Sequence, residues 1–292
     1  MLVRRVGRLG VAVLLILACA GLLCGPSYAR DPVGKLSVAG RFGVSGYDMG
    51  AINSAITRSK TLIASFPETE DWEVPDRIHS GLDFVADACF DLNSSIRLGL
   101  IYGRSAGETS VDYLQRMAVK PRATMIVPRL FYKLPWRPMD DLPLRLFGGL
   151  VFLSNAKTIV EHENTSEDAP RLETLTIKGS GTGFTGGLLA EYALSDRFVF
   201  AFEGGYRIAK ASFDSGAYTI TKLHDALGDD DNDGIPNNRD LYYKDKPAQS
   251  VSYLWGFMEG DPKVQGDPGV ARKLDTDFSG LALQIGLRVY IF

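Results

Sequence analysis

The clearest signal in this chain is a regular alternation of apolar and polar side chains. From residue 197 onward, the sequence RFVFAFEGGYRI places Phe198, Phe200 and Phe202 on one parity, whereas Glu203 and Arg207 fall on the other. Successive side chains of a β-strand point to opposite faces. The period of two therefore predicts a strand with one apolar face and one polar face.

Eight segments of the chain follow this rule. They cover residues 36–44, 82–90, 96–102, 126–133, 144–152, 184–194, 197–208 and 281–291. Short links (91–95, 135–143 and 195–196) follow the second, fourth and sixth strands, and long segments follow the first, third, fifth and seventh. This arrangement is typical of bacterial outer-membrane barrels. We therefore predict an all-β fold, an eight-stranded antiparallel up-and-down transmembrane β-barrel with long extracellular loops and both termini in the periplasm.

The polar parity of these strands predicts a filled lumen. In hydrocarbon every backbone N–H and C=O must be paired within the protein, so a lipid-facing sheet has to close on itself. Eight strands enclose an interior just wide enough for side chains. Opposite charges can pair across that interior, where an isolated charge would be costly. The inward charged residues are Asp83, Asp87, Glu191, Glu203, Arg41, Arg97, Arg129, Arg145, Arg207 and Arg288.

Aromatic residues fall at both ends of the predicted strands. The ends next to the short turns carry Phe90, Tyr132, Tyr192, Phe198 and Phe292, and the opposite ends carry Tyr102, Phe152 and Tyr206. Two aromatic girdles are expected of a barrel that spans a bilayer.

Two features depart from the simple pattern. Pro128 lies inside the fourth strand, where proline removes a donor from the ladder. Tyr290 and Phe292 share their parity with Arg288 and not with the aliphatic row of the last strand. The second departure leaves open a bulge or a change of register near the end.

From Lys35 to Phe292 the chain resembles the small eight-stranded outer-membrane barrels of the OmpA, OmpX and OmpW type. The resemblance lies in the strand count, the alternation of loop lengths, the glycine and aromatic pattern of GFTGGLLAEYALSDRFVFAFEGGYRI, and the terminal GLRVYIF. It implies recognition of the final strand by the barrel-assembly machinery. It also implies outer-membrane lipid and lipopolysaccharide as surroundings, with a surface partner that the sequence does not identify.

The N-terminus predicts export. Arg4, Arg5 and Arg8 precede an apolar run and a small-residue cleavage pattern, which indicates a signal peptide over residues 1–29 and a barrel domain over 30–292. A lipoprotein cysteine at Cys19 is the alternative. After cleavage at residue 29 only Cys89 remains, so no internal disulfide is expected.

The sequence DDDNDGIPNNRD has the spacing of a calcium loop. Hard oxygen ligands recur at alternate positions, and Gly234 supplies the sharp turn. The residue pattern resembles a thrombospondin type 3 calcium repeat, and a solvated acidic loop is the alternative. The motif lies in the last and longest surface loop, residues 209–277. The predicted Ca²⁺ ligands are Asp229, Asp231, Asp233, Ile235 through its carbonyl, Asn237 and Asp240.

The first long segment contains a helical spacing of apolar residues. Ile52, Ala55, Ile56, Ile63 and Phe66 predict a short amphipathic helix that packs on the barrel rim or, alternatively, plugs the lumen.

Composition and the few histidines constrain the function. A formal net charge of -3 does not suggest nucleic acid as a partner. His79, His162 and His224 are the candidate proton carriers, but no triad or nucleophile accompanies them. The sequence therefore favours a non-enzymatic barrel with a structural or surface-interaction role and a Ca²⁺-stabilised loop. The alternatives are a narrow passage for small apolar solutes and, less favoured, an outer-membrane enzyme that modifies lipid.

Overall fold

The computed structural model describes residues 35–65, 73–112, 116–136, 142–164, 171–222, 253–257 and 272–291. The strands are β1 (Leu36–Gly46), β2 (Ser80–Asp91), β3 (Ile96–Ala106), β4 (Thr109–Asp112), β5 (Arg116–Lys133), β6 (Leu144–Asn164), β7 (Arg171–Ala193), β8 (Phe198–Lys222), β9 (Thr276–Asp277) and β10 (Gly280–Tyr290). A helix, α1, covers Gly50–Ile63, and a 3₁₀ helix covers Tyr253–Phe257.

Eight of these strands close into a ring. Their order is β1-β2-β3-β5-β6-β7-β8-β10, and β10 pairs antiparallel with both β8 and β1. The closing pairs include Ser37 opposite Tyr290 and Phe198 opposite Val289. The prediction of an eight-stranded antiparallel barrel is confirmed.

The two departures seen in the sequence are accommodated without a change of register. Ile126 lies opposite Phe152 and Arg129 opposite Gly149, so β5 and β6 keep one register on either side of Pro128. The last strand pairs continuously with β1 from Ala282 to Tyr290, so it has no bulge there.

The outward face of the barrel carries an apolar belt with a sharp upper edge. Large apolar side chains such as Leu100 and Phe184 are 57% and 64% exposed on this face. Burial of such a surface in lipid removes the cost of exposing it to water. Toward the long loops, the outward residues change from apolar to polar within one step of two residues. The change runs from Tyr102 to Arg104 on β3, Ile126 to Thr124 on β5, Phe152 to Ser154 on β6, Phe184 to Thr182 on β7, and Ile208 to Lys210 on β8.

Four strands continue far beyond this belt. β6, β7 and β8 contain 21, 23 and 25 residues, whereas about 9–11 tilted residues cross a bilayer. The structure therefore extends these strands beyond the segments that the alternation in the sequence marks. Much of the segment between the fifth and sixth barrel strands is paired strand, and β8 occupies the first part of residues 209–277.

Two bulges lie above the belt. Between β6 and β7 the register shifts between Leu153 and Ala156, and Asn155 takes a left-handed φ of 49°. A second shift lies between β7 and β8: the adjacent residues Lys178 and Gly179 pair with Ser215 and Phe213, so Asp214 is the extra residue. An extra residue reverses which parity points inward. Above the first bulge, Ala156 is buried although the inward residues below it are odd-numbered.

The long-loop end is covered by α1, which confirms the predicted helix over Ile52 to Ile63, and Phe66 lies outside the described residues. Ile52, Ile56 and Ile63 are buried in an apolar cluster that also contains Phe257 of the 3₁₀ helix. Within the described part of the chain, no helix is long and apolar enough to cross a bilayer. The same cluster includes lumen residues such as Val151, so α1 caps the barrel on its long-loop side.

Candidate functional site

The lumen next to the short turns is organised around one carboxylate. Glu191 on β7 accepts hydrogen bonds from Arg97 Nη1 at 2.7 Å and Arg145 Nε at 3.1 Å, and it lies 2.9 Å from Arg288 Nε. Asp91, at the end of β2, accepts from Arg97 Nε at 2.9 Å. All five side chains are buried.

A second charged group lies further along the lumen. Glu203 on β8 accepts from Arg41 Nη1 at 2.7 Å and from Arg129 Nη1 at 2.6 Å. Asp87 contacts Arg41 Nη2 at 2.7 Å and Arg288 Nη2 at 3.2 Å. Because Arg288 belongs to both groups, the ion pairs form one network that crosses the lumen. Shared partners of this kind satisfy charges that would otherwise be costly to bury.

A third polar group centres on Asp83, toward the long loops. Its carboxylate accepts hydrogen bonds from the hydroxyls of Ser45 and Ser105, and it lies 3.2 Å from Arg207 Nη1. Arg207 Nε also donates to the carbonyl of Phe278 at 2.9 Å. The third group therefore ties the barrel wall to the segment that enters β10.

A cavity of about 20 Å³ lies between the third group and the network, and it has room for about one water molecule. Its lining combines apolar side chains such as Val85, Met125 and Val151 with the charged side chains of Arg129, Glu203 and Arg207. The lumen is thus filled by side chains along the part of the barrel that crosses the belt.

The inward charged residues predicted from the sequence are all found in these groups, and their pairing is confirmed. Two further lumen residues were missed. The sequence pattern predicts Asp91 in the link after the second strand and leaves the register around Tyr290 open. In the structure, Asp91 accepts a hydrogen bond from Arg97 Nε, and the Tyr290 hydroxyl accepts one from Arg97 Nη2. Parity carried the signal for both, because Asp91 continues the odd row of Asp83 and Tyr290 continues the even row of Arg288.

The histidines do not assemble a catalytic group among the described residues. His79 is exposed at the rim, and its carbonyl accepts the Tyr47 N–H at 2.8 Å. His162 is buried on the inner face of β6, with Nδ1 3.5 Å from Glu173 Oε2. His224 lies outside the described residues.

The predicted calcium loop also lies outside the described residues, so its ligands from Asp229 to Asp240 stay a prediction. Within the described ranges, no group of three or more His, Cys, Asp or Glu side chains is placed to hold a metal ion.

Some outward cations above the belt have carboxylate partners. Lys120 on β5 contacts Glu161 on β6, with Glu108 3.9 Å away. Lys210 on β8 lies 3.1 Å from Asp275, and this hydrogen bond raises the pKa of the exposed Lys210 ammonium. Ion pairs therefore neutralise part of this surface.

The belt, its aromatic margins and the closed ring together decide the architecture. The chain folds as an outer-membrane-type β-barrel. No protein-family model and no curated protein matches its sequence. Among solved structures, it is similar to the outer membrane protein OprG from Pseudomonas aeruginosa, with a TM-score of 0.38 and 11% identity over 89% of this chain and 96% of OprG. It is also similar to the outer membrane protease OmpT from Escherichia coli, with a TM-score of 0.38 and 8% identity over 92% of this chain and all of OmpT.

Proposed function

We propose that the protein is a closed, non-enzymatic barrel of the bacterial outer membrane, with its termini in the periplasm and a rigid surface structure at its long-loop end. The observation that carries this proposal is the buried network around Glu191 and Glu203, which fills the lumen inside the apolar belt. An ion or solute crossing the barrel would have to separate these charge pairs, at a cost of several kcal/mol for each uncompensated charge.

The long-loop end supports a role in surface contacts. β5 to β8 extend beyond the belt as a paired sheet, and their inner face is covered by α1 and the 3₁₀ helix. Asn53 of α1 holds the backbone of Ile78 through two hydrogen bonds, of 2.8 and 3.0 Å. We call this extended sheet, together with its covering helices, the platform. Because the platform is fixed in this way, it loses little conformational entropy when a partner binds its outer face.

The predicted Ca²⁺ site and the assembly partner belong to this proposal. A cation bound by Asp229, Asp231, Asp233, Ile235, Asn237 and Asp240 would order the longest loop beside the platform. The barrel-assembly machinery would insert the chain, and outer-membrane lipid and lipopolysaccharide would surround its belt.

The competing function is a narrow passage for small apolar solutes. The apolar side chains on part of the cavity wall are the observation in its favour, but Arg129, Glu203 and Arg207 also line the cavity, and its volume of about 20 Å³ is that of roughly one water molecule. The polar groups on either side of the cavity weigh against a continuous apolar route.

Nitroxide labels on β7 test the membrane placement. Leu188 and Ser180 share the outward parity, and they lie inside and above the belt. We expect a label at position 188 to collide with oxygen in the bilayer and a label at 180 to collide with a water-soluble nickel complex. Native Cys89 is 1% exposed, so it should not compete for the label. Water accessibility at 188 would contradict the proposal.

Electrical recordings test closure separately. Folded protein, identified by its heat-dependent shift on a denaturing gel, should give no discrete conductance steps in planar bilayers. Regular steps from the same preparation would favour the passage.

A further inference from the structure

Three cations stand side by side on the outer face of the barrel. Arg122 on β5 lies directly opposite Lys157 on β6, and Lys157 lies directly opposite Lys178 on β7. We call these three residues the basic row. Arg122 shares the outward parity of Ile126, and Lys178 shares that of Phe184.

The bulge at Asn155 brings Lys157 into this row. Below the bulge the outward residues of β6 are even-numbered, whereas above it Ala156 and Thr158 are buried and Lys157 between them is partly exposed. Without the extra residue, Lys157 would point toward the capped interior. A local irregularity of the sheet thus places the middle cation beside the other two.

The row lacks an internal counter-charge among the described residues. None of its three members forms a salt bridge there, although Lys120 and Lys210 nearby each have a carboxylate partner. Like charges directly opposite each other on neighbouring strands destabilise a sheet. An external anion between them would remove this repulsion.

The position of the row relative to the belt indicates the source of that anion. Arg122 lies four residues beyond Ile126, the last lipid-facing residue of β5, and Lys178 lies six residues beyond Phe184, the last one of β7. These separations are about 13 and 20 Å along a strand, or about 10 and 15 Å along the membrane normal for strands tilted by about 40°. The headgroup layer begins at the edge of the hydrocarbon and is about 5–8 Å thick on each side. Long basic side chains bend back toward this layer.

We infer that the basic row binds the phosphate groups of anionic lipid in the leaflet at the long-loop end. The inference rests on the proposed membrane function and adds a lipid-binding site to it. The row is continuous with the lipid-facing surface through Thr124 and Ile126, so a membrane lipid reaches it without leaving the bilayer. The positive charges of three side chains on adjacent strands complement the negative charges of phosphate oxygens.

The test compares lipid binding by matched variants. Protein folded in neutral detergent is titrated with phosphatidic acid or phosphatidylcholine, and bound lipid is counted by native mass spectrometry. The test variant is R122Q/K157Q/K178Q. The control R58Q/K60Q/K273Q removes three exposed cations outside the barrel strands. We expect the test variant to bind phosphatidic acid roughly tenfold or more weakly, and the control to bind like the unchanged protein.

A charge-conserving variant distinguishes the effect of charge from that of structure, and a competition experiment distinguishes a lipid ligand from a free anion. R122K/K157R/K178R should retain binding, because it keeps the charges. Inorganic phosphate at the same concentrations should not compete; full competition would indicate a free-anion site and overturn the lipid assignment. Equal phosphatidic acid binding by test variant and control would overturn the site. All variants should keep the heat-dependent gel shift, which reports the barrel itself, and single Gln changes replace the triple change if it fails to fold.

Discussion

Arg97 and Glu191 lie 94 positions apart in the chain, yet a hydrogen bond of 2.7 Å joins Arg97 Nη1 to Glu191 Oε1 in the lumen. The two residues belong to strands that are not neighbours in the ring. The contact therefore spans the interior and links opposite parts of the wall. Glu191 also pairs with Arg288 on β10 and with Arg145 on the neighbouring strand β6, so among the described carboxylates it has the largest number of buried arginine partners.

Neutralising this centre should destabilise the barrel strongly. Glu191→Gln leaves three buried guanidinium groups facing a neutral amide, and removal of one partner from a buried pair typically costs about 3–5 kcal/mol. The measurement is the free energy of unfolding in urea with the protein in lipid vesicles. Asp196→Asn, in the exposed turn after β7, is the matched control and should change stability by less than about 0.5 kcal/mol. Equal stability of the two variants would show that the network does not support the fold.

The bulge on β6 depends on the backbone of Asn155. Its φ of 49° lies in the left-handed region, which asparagine tolerates better than a β-branched residue. Asn155→Val should reduce the free energy of unfolding by about 1–2 kcal/mol, whereas Asn155→Gly should be nearly neutral. If both variants unfold at the same urea concentration, the left-handed conformation is not needed at this position.

The contact between the 3₁₀ helix and α1 should be sensitive to a single methyl group. A Cβ at Gly256 would lie 2.1 Å from Ser59 Oγ and 2.4 Å from the Ala55 carbonyl. Gly256→Ala should therefore loosen the cap, at a cost of about 1–3 kcal/mol, and expose the long-loop end to proteases while the heat-dependent gel shift persists. Gly148→Ala, where a Cβ would meet nothing within 4 Å, is the control. Unchanged digestion of Gly256→Ala would contradict the packing of the cap.

The predicted calcium loop can be tested by limited proteolysis. Asp231→Ala removes the ligand at the third position of the loop and should abolish the protection that millimolar Ca²⁺ gives to residues 223–252. Asp225→Ala changes an acidic residue outside the motif and should keep that protection. Identical digestion of the unchanged protein with Ca²⁺ and with a chelator would count against the site.

The sequence predicted those parts of the fold in which lipid and lumen impose opposite polarities on alternate residues. Inside the belt, Phe202 must face acyl chains and Glu203 must face Arg41, so parity alone identified both the strands and the ion pairs. The same rule would have placed Asp91 and Tyr290 correctly if it had been followed to the ends of their strands.

Above the belt, alternation no longer distinguishes the inner face from the outer face, because both faces of the sheet carry polar residues and the bulges reverse the parity. Thr158 points inward and contacts Thr276 at 3.0 Å, whereas Lys157 points outward, so no apolar row marks the strand. The extension of β5 to β8 follows from long-range pairing and from the cap that covers it. Neither is visible in a local pattern.

The pairing of β1 with β10 also dictates when the barrel can form. Ser37 and Tyr290 are partners from opposite ends of the described chain, so this edge of β1 stays open until β10 is available to pair with it. Such a high contact order makes closure slow and leaves an aggregation-prone edge in the meantime. Ring closure is therefore a late step of folding, and any barrel intermediate that forms before it has an unpaired strand edge.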